Sequence, residues 1–220
     1  CAVRYRRGRR FFVYSGFGID KSADKKTIYD VLTGADSLDE AIVETKINGL
    51  SVLPSSIDLA GIEIELANIK KREFYLKEVL DKAQAYDYIF IDCPPSLGLL
   101  TINSLTAADS ILVPIQCEFF ALEGLTQLMN TVRLVKRHLN SRLEIEGVAL
   151  TMYDSRTNLS AQVSEELRKY FGNKVYSTII PRNVRLGEAP SYGLSILEYA
   201  PRSAGAEAYR KLAEEFISKQ

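Results

Sequence analysis

From Gly16 to the C-terminus, apolar runs of strand length alternate with amphipathic stretches of helix length, and this alternation constrains the fold more than any other feature of the sequence. Parallel strands need a long crossover between them, usually a helix, so the pattern predicts βα units feeding a parallel sheet. The predicted strands are Leu50 to Leu53, Tyr88 to Ile91, Ile111 to Ile115, Ile145 to Thr151 and Val175 to Ile180. Most are unbroken apolar runs, which requires helices on both faces of the sheet. The predicted helices cover Thr27 to Leu32, Leu38 to Lys46, Ile57 to Asn68, Glu73 to Ala85, Leu99 to Ala107, Leu122 to Leu139, Leu159 to Phe171 and Ala204 to Ser218. Within the Leu122 helix, Leu122, Leu125, Leu128, Met129, Val132 and Val135 recur at three- and four-residue spacing and draw one buried stripe. Thr157 or Asn158 can cap the helix that follows, its side-chain oxygen taking free amides of the first turn. No repeat or long linker interrupts the pattern. Residues 16–220 therefore read as one doubly wound α/β domain with a mostly parallel sheet flanked by helices.

The charge balance is even, with 28 Lys+Arg against 28 Asp+Glu, so any surface for a nucleic acid or a membrane must be local. The spread is uneven. The first 14 residues hold Arg4, Arg6, Arg7, Arg9 and Arg10 and no acid, which leaves 23 basic against 28 acidic residues in the remainder. That opening shows neither strand alternation nor a helical stripe, and residues 1–15 stand apart as an atypical basic segment. Three widely spaced cysteines, Cys1, Cys93 and Cys117, fit neither a disulfide framework nor a zinc or iron–sulfur site. No apolar run approaches the roughly 20 residues that span a bilayer, and the N-terminus has no apolar signal-peptide core. A soluble protein of a reducing cytoplasm is expected.

Ligands of open parallel sheets bind beyond the carboxyl ends of the strands, and three such junctions carry chemistry. The apolar run from Tyr88 ends in Asp92, followed by Cys93, Pro94 and Pro95. A carboxylate there is placed to hold Mg²⁺, directly or through water, beside the phosphates of a nucleotide; the plainer alternative is an Asp that caps the next turn. The run ending at Ile180 meets Pro181, Arg182 and Asn183. An amide side chain can read a purine edge, and a proline offers the ring a flat apolar wall. After Thr151 comes a polar loop, Asp154 to Asn158, that carries Arg156. A lone arginine on such a loop is usually no more than solvated surface.

Taken in order, four segments match a known family: YDYIFIDCPPSLGLLTIN from Tyr86 to Asn103, PIQCEFFALEGL from Pro114 to Leu125, DSRTN from Asp154 to Asn158, and IPRNVRLGEAPS from Ile180 to Ser191. From about Gly16 to Phe216 the chain resembles the ParA/Soj-type chromosome and plasmid partition ATPases, cousins of the MinD proteins in the deviant Walker-A P-loop class. The resemblance implies a P-loop NTPase-like fold with bound ATP and Mg²⁺, in which Asp92 is the Walker B carboxylate, catalytic and in contact with Mg²⁺ through water. It implies that Pro181, Arg182 and Asn183 line the adenine pocket. It further implies that Arg156 and Arg185 bind DNA without sequence preference, on the nucleoid, once ATP has joined two copies into a homodimer. A ParB-like centromere-binding partner would then stimulate hydrolysis.

Two of that family's elements have no counterpart here. No Gly-Lys pair occurs in the 220 residues, so the lysine-bearing glycine loop that cradles α and β phosphates is missing, along with the strand that leads into it. The switch-I Asp that positions the attacking water is also missing. Positioning and charge neutralisation supply most of the rate in phosphoryl transfer. The expectation is therefore an N-terminally truncated or altered partition switch, impaired in ATP binding and hydrolysis. Two alternatives stand beside it: a non-catalytic module that keeps DNA and partner contacts, and a MinD-like protein that cycles on membranes. The latter needs a basic amphipathic C-terminal helix, whereas Glu214 and Glu215 break the basic face of the tail, so no membrane partner is expected.

Overall fold

A computed structural model describes residues 2–5, 8–13, 26–83, 85–93, 96–119 and 121–220, with side chains from residue 26 onward. Pro94, Pro95, Phe120, the stretch from Gly16 to Asp20 and the side chains of Arg4 to Arg10 lie outside the described residues. The chain divides into two compact units, one built mainly from residues up to 111 together with 130–144, the other from 112–129 and 145–220.

The first unit contains β1 (Ala2–Tyr5), β2 (Gly8–Val13), α1 (Ile28–Thr33), α2 (Leu38–Ala41), β3 (Val43–Glu44), β4 (Leu50–Val52), α3 (Ile62–Glu65), α4 (Tyr75–Leu80), β5 (Tyr86–Asp92) and α5 (Leu99–Ala107). Its strands lie in the order β3-β4-β2-β5-β1. β2 runs parallel to β4 and to β5, whereas β1 is antiparallel to β5 and β3 antiparallel to β4. The α/β class expected from the sequence holds. The opening segment, in which no element was expected, nevertheless carries two strands. The physical reason lies in the backbone. β5 is an apolar strand whose N–H and C=O groups must be paired on both sides, and main-chain groups of any residue type can supply that pairing. An arginine-rich stretch without side-chain alternation therefore still forms ladders, Ala2 opposite Asp92 on one side and Val13 opposite Ile91 on the other.

Three predicted helices are shorter than expected, and of the Glu73 to Ala85 stretch only Tyr75–Leu80 is α-helical, after a 3₁₀ turn at Arg72–Phe74. The stretch from Leu38 stops at Ala41 because the β-branched pair Ile42-Val43 turns into β3. The Ile57 to Asn68 stretch breaks into 3₁₀ turns at Ile57–Gly61 and Leu66–Asn68 around the single turn of α3. Gly61, a weak helix former, sits at the first break.

α5 is buried along most of its length, including Thr101, Asn103, Ser104 and Thr106. Buried hydroxyls are costly unless paired. Ser104 and Thr106 donate to the carbonyls four residues back, Leu100 and Ile102, at 2.9 and 2.8 Å. Asn103 donates to the carbonyls of Arg72 and Leu99 and accepts from the amide of Leu76, which ties α5 to α4. At the far end of α5, the amide nitrogen of Asn140 donates to the carbonyls of Leu105, Thr106 and Ala108 at 3.1, 3.2 and 2.7 Å, closing a helix terminus that has no glycine cap.

The second unit is formed by β6 (Ser110–Gln116), the start of α6 (Ala121–His138), β7 (Glu144–Tyr153), α7 (Asn158–Phe171), β8 (Val175–Pro181), α8 (Val184–Glu188), α9 (Ile196–Tyr199) and α10 (Ala204–Ser218). Its strand order is β6-β7-β8, with β7 and β8 parallel. The α6 stripe buries Leu125, Val132 and Val135 but leaves Leu122 exposed. Thr157 is the N-cap of α7 and accepts from the amide of Ser160. In β7, Gly147 lets the Tyr176 ring close in: a Cβ there would stand 2.5 Å from Cε2 of that ring and 2.9 Å from the Lys174 carbonyl. β8 is the outer strand of this order, and α10 guards its edge. The amides of Ser177 and Thr178 donate to the two oxygens of Glu215, each at 2.8 Å.

Candidate functional site

In the first unit, Ile89 and Ile91 of β5 point into the core at 0% and 3% exposure, and the alternation brings Asp92 out at the strand's carboxyl end. Asp92 also borders a cavity of about 60 Å³ whose other walls include Ile28, Leu59, Ile62, Leu76 and Leu100. Desolvation against those apolar walls pushes its carboxyl above the usual aspartate value. Cys93 follows, buried, its thiol raised by the same cause. Ser96 accepts from Thr101 Oγ1 at 2.6 Å, and Leu100 at the start of α5 donates to Glu63 at 3.3 Å. A Cβ at Gly98 would meet the Glu63 carboxylate, which would have to swing aside. The α3 segment is thus fastened to the first turn of α5. Sequence reasoning missed Glu63, since its partner lies 37 positions away.

In the second unit, the carboxyl ends of β6, β7 and β8 gather the remaining expected residues. β7 ends irregularly, with register shifts against β8 and Met152 at φ 55°, which re-aims the chain into the Asp154 loop. Arg156 lies on that loop and pairs with Asp154, Nε to Oδ1 at 2.9 Å and Nη2 to Oδ2 at 2.7 Å. The buried Ser160 hydroxyl accepts from the Asp154 amide at 3.2 Å and donates to the Cys117 carbonyl at 3.4 Å, joining this loop to the end of β6. At the end of β8 the Arg182 amide donates to the Tyr153 carbonyl at 2.9 Å, and its guanidinium donates to Glu118 at 2.6 Å. Arg185 pairs with Glu188, which also accepts from the Tyr199 hydroxyl.

The three residues expected at a base pocket do different things. Pro181 lines a cleft of about 620 Å³ together with Tyr153, Ser155, Ile179, Glu207 and Lys211. Arg182 is engaged by Glu118. The Asn183 side chain caps α8, its oxygen accepting from the Arg185 amide at 2.9 Å, which leaves the amide nitrogen for a ligand. Glu118 was not legible as the partner of Arg182, because that pairing depends on how the ends of β6 and β8 converge, whereas Asp154 and Glu188 lie two and three residues from their arginines. Among the described residues, no group of three His, Cys, Asp or Glu could hold a metal ion, and no helix is long and apolar enough to cross a membrane.

Strands flanked by helices in this arrangement have the α/β fold of the P-loop NTPases. The family model described as AAA domain matches residues 12–145. A solved structure of cobyrinic acid a,c-diamide synthase from Mycobacterium smegmatis, with bound ATP analogue and magnesium, superposes with a TM-score of 0.79 at 35% identity, covering 95% of this chain and 81% of that one. Sporulation initiation inhibitor protein Soj of Bacillus subtilis is 58% identical over 202 residues, 91% of this chain and 80% of that protein. Chromosome partitioning protein ParA of Caulobacter vibrioides is 52% identical over 209 residues, 94% of this chain and 78% of that protein. The chain belongs to the Soj/ParA family of chromosome-partitioning proteins.

Proposed function

We propose that this chain acts in partition by holding DNA without sequence preference through Arg156 and Arg185, as part of a Soj/ParA-type cycle on the nucleoid. Membership of the family carries the reading, and the exposure of both arginines, Arg156 on the loop after β7 and Arg185 in α8 after β8, supports it. In that cycle ATP joins two copies, and a ParB-like partner stimulates hydrolysis and release. Contacts of this kind go to phosphates, which makes them sensitive to salt and indifferent to sequence.

Each unit, taken by itself, holds residues with chemistry that a nucleotide uses. Asp92 offers a carboxylate for Mg²⁺, which when bound neutralises phosphate charge, and Pro181 with the Asn183 amide nitrogen offers a wall and a donor for adenine. They do not fit the triphosphate anchor. The 220 residues hold no Gly-Lys pair to surround the phosphates and oppose their charge. No hydrolytic step is assigned to this chain, and its affinity for ATP is expected to be poor. For these 220 residues taken alone a second reading stands beside the first, a binding module without a nucleotide cycle.

Calorimetric titration with Mg-ATP separates the two: the module shows no micromolar binding, and micromolar binding restores the nucleotide switch. Retention on duplex DNA at low salt tests what they share. Arg156→Gln and Arg185→Gln should each weaken it, and unchanged retention in both would reject the DNA reading.

A further inference from the structure

Three arginines stand at the strand ends of the second unit, and each has a carboxylate partner: Arg156 with Asp154, Arg182 with Glu118, Arg185 with Glu188. The first pair is the most complete. The Arg156 side chain is 83% exposed, yet its Nε and Nη2 both donate to Asp154, a two-point fork. Asp154 is the fixed member. Its side chain is only 17% exposed, its Oδ1 also accepts from the Arg156 amide at 3.0 Å, and its own amide is held by Ser160. Arg185, by contrast, meets a single oxygen of Glu188, which it shares with the Tyr199 hydroxyl.

We propose that Asp154 is a built-in counter-anion that occupies the phosphate-binding fork of Arg156 and thereby sets the strength and salt dependence of the DNA contact. The inference rests on the DNA reading above and names how that site is regulated. A phosphate and the Asp154 carboxylate compete for the same edge of the guanidinium. The pair carries no net charge, so it drives less counterion release than a free arginine does. Arg156 holds the Asp154 carboxyl far below the usual aspartate range, so mild acid does not break the pair. Only a competing anion or a movement of the loop frees the fork.

The magnitude follows from counterion release. One additional neutralised phosphate steepens the slope of log K against log salt by about 0.9. With binding near 1 M salt unchanged, affinity near 0.1 M rises by about eightfold.

The test is a salt titration of binding to random-sequence duplex DNA by the unaltered chain, Asp154→Asn, Arg156→Gln and the double variant. Asn keeps the acceptor for the Arg156 amide, and Asp154→Ser supplies a second uncharged variant with a turn-forming oxygen. The proposal requires both Asp154 variants to bind about eightfold more tightly near 0.1 M salt, with a slope steeper by about one, and the gain to vanish in the Arg156→Gln background. If Arg156→Gln weakens binding while neither Asp154 variant changes it, or if the gain survives without Arg156, the counter-anion role is overturned. If Arg156→Gln has no effect, Arg156 is no DNA contact and this proposal falls, while the DNA reading itself falls only if Arg185→Gln has no effect either.

Discussion

Replacing Glu215 with Gln probes the device that protects the outer edge of β8. Glu215 accepts from the amides of Ser177 and Thr178, each at 2.8 Å, and pairs with Lys219 at 3.0 Å. Burial works to raise its carboxyl, but the two amides, Thr178 and Lys219 outweigh that and hold it down to about 2, against an ordinary value of 4.5. At about 1.4 kcal/mol per pK unit the gap is worth roughly 3 kcal/mol, and solvent screening at a sheet edge reduces it to about 2 kcal/mol. The folded state has the depressed pKa, so the stabilisation is present above about pH 4.5 and drains away as pH falls toward about 2. By pH 3 more than half, about 60%, is lost. Urea unfolding of the chain and of Glu215→Gln, run side by side at neutral pH and near pH 3, reads this directly. The two should differ by about 2 kcal/mol at neutral pH and by less than half of that near pH 3. A difference that stays constant across the range would show that charge has no part in the cap, and the reasoning would fail.

Two further substitutions test packing. Gly147→Ala forces a methyl into the Tyr176 ring and the Lys174 carbonyl, neither of which can yield without moving β8, and should cost about 1–3 kcal/mol in urea unfolding; unchanged stability would mean that the two strands are not so closely apposed. Asn140→Ala strips three carbonyls at the end of α5 of their donor and should lower stability by about 1–3 kcal/mol, with faster hydrogen exchange confined to the last turn of α5 and its neighbours. Unaltered exchange there would show that water replaces the side chain at no cost.

How much of this was legible in the sequence depended on the range of the interaction. Unbroken apolar runs marked the strands from Leu50 onward because burial on both faces leaves no other composition possible. The Asp92, Asp154 to Asn158 and Pro181 to Asn183 junctions were visible for the same reason, since a strand end is also the place where composition changes. Thr157 was readable as a cap because capping is settled within three residues. Short-range rules failed where the partner was remote. The opening arginine-rich stretch became β1 and β2 because β5 offers open main-chain groups on both sides, a demand that no side chain in residues 1–15 announces.

Remote carboxylate partners were the other silent element. Asp154 is two residues from Arg156, and that pairing was open to local reasoning, but Glu118 and Arg182 are 64 positions apart and meet only because β6 and β8 end at the same rim. Glu63 reaches Leu100, and Glu215 reaches Ser177, across similar gaps. The chain's order of apolar and polar residues thus determined the class of fold and where most of its strands end. Tertiary structure alone decided the remote pairings, Glu118 with Arg182 and Glu215 with the Ser177 and Thr178 amides, because those partners are set by convergence in space and not by spacing along the chain.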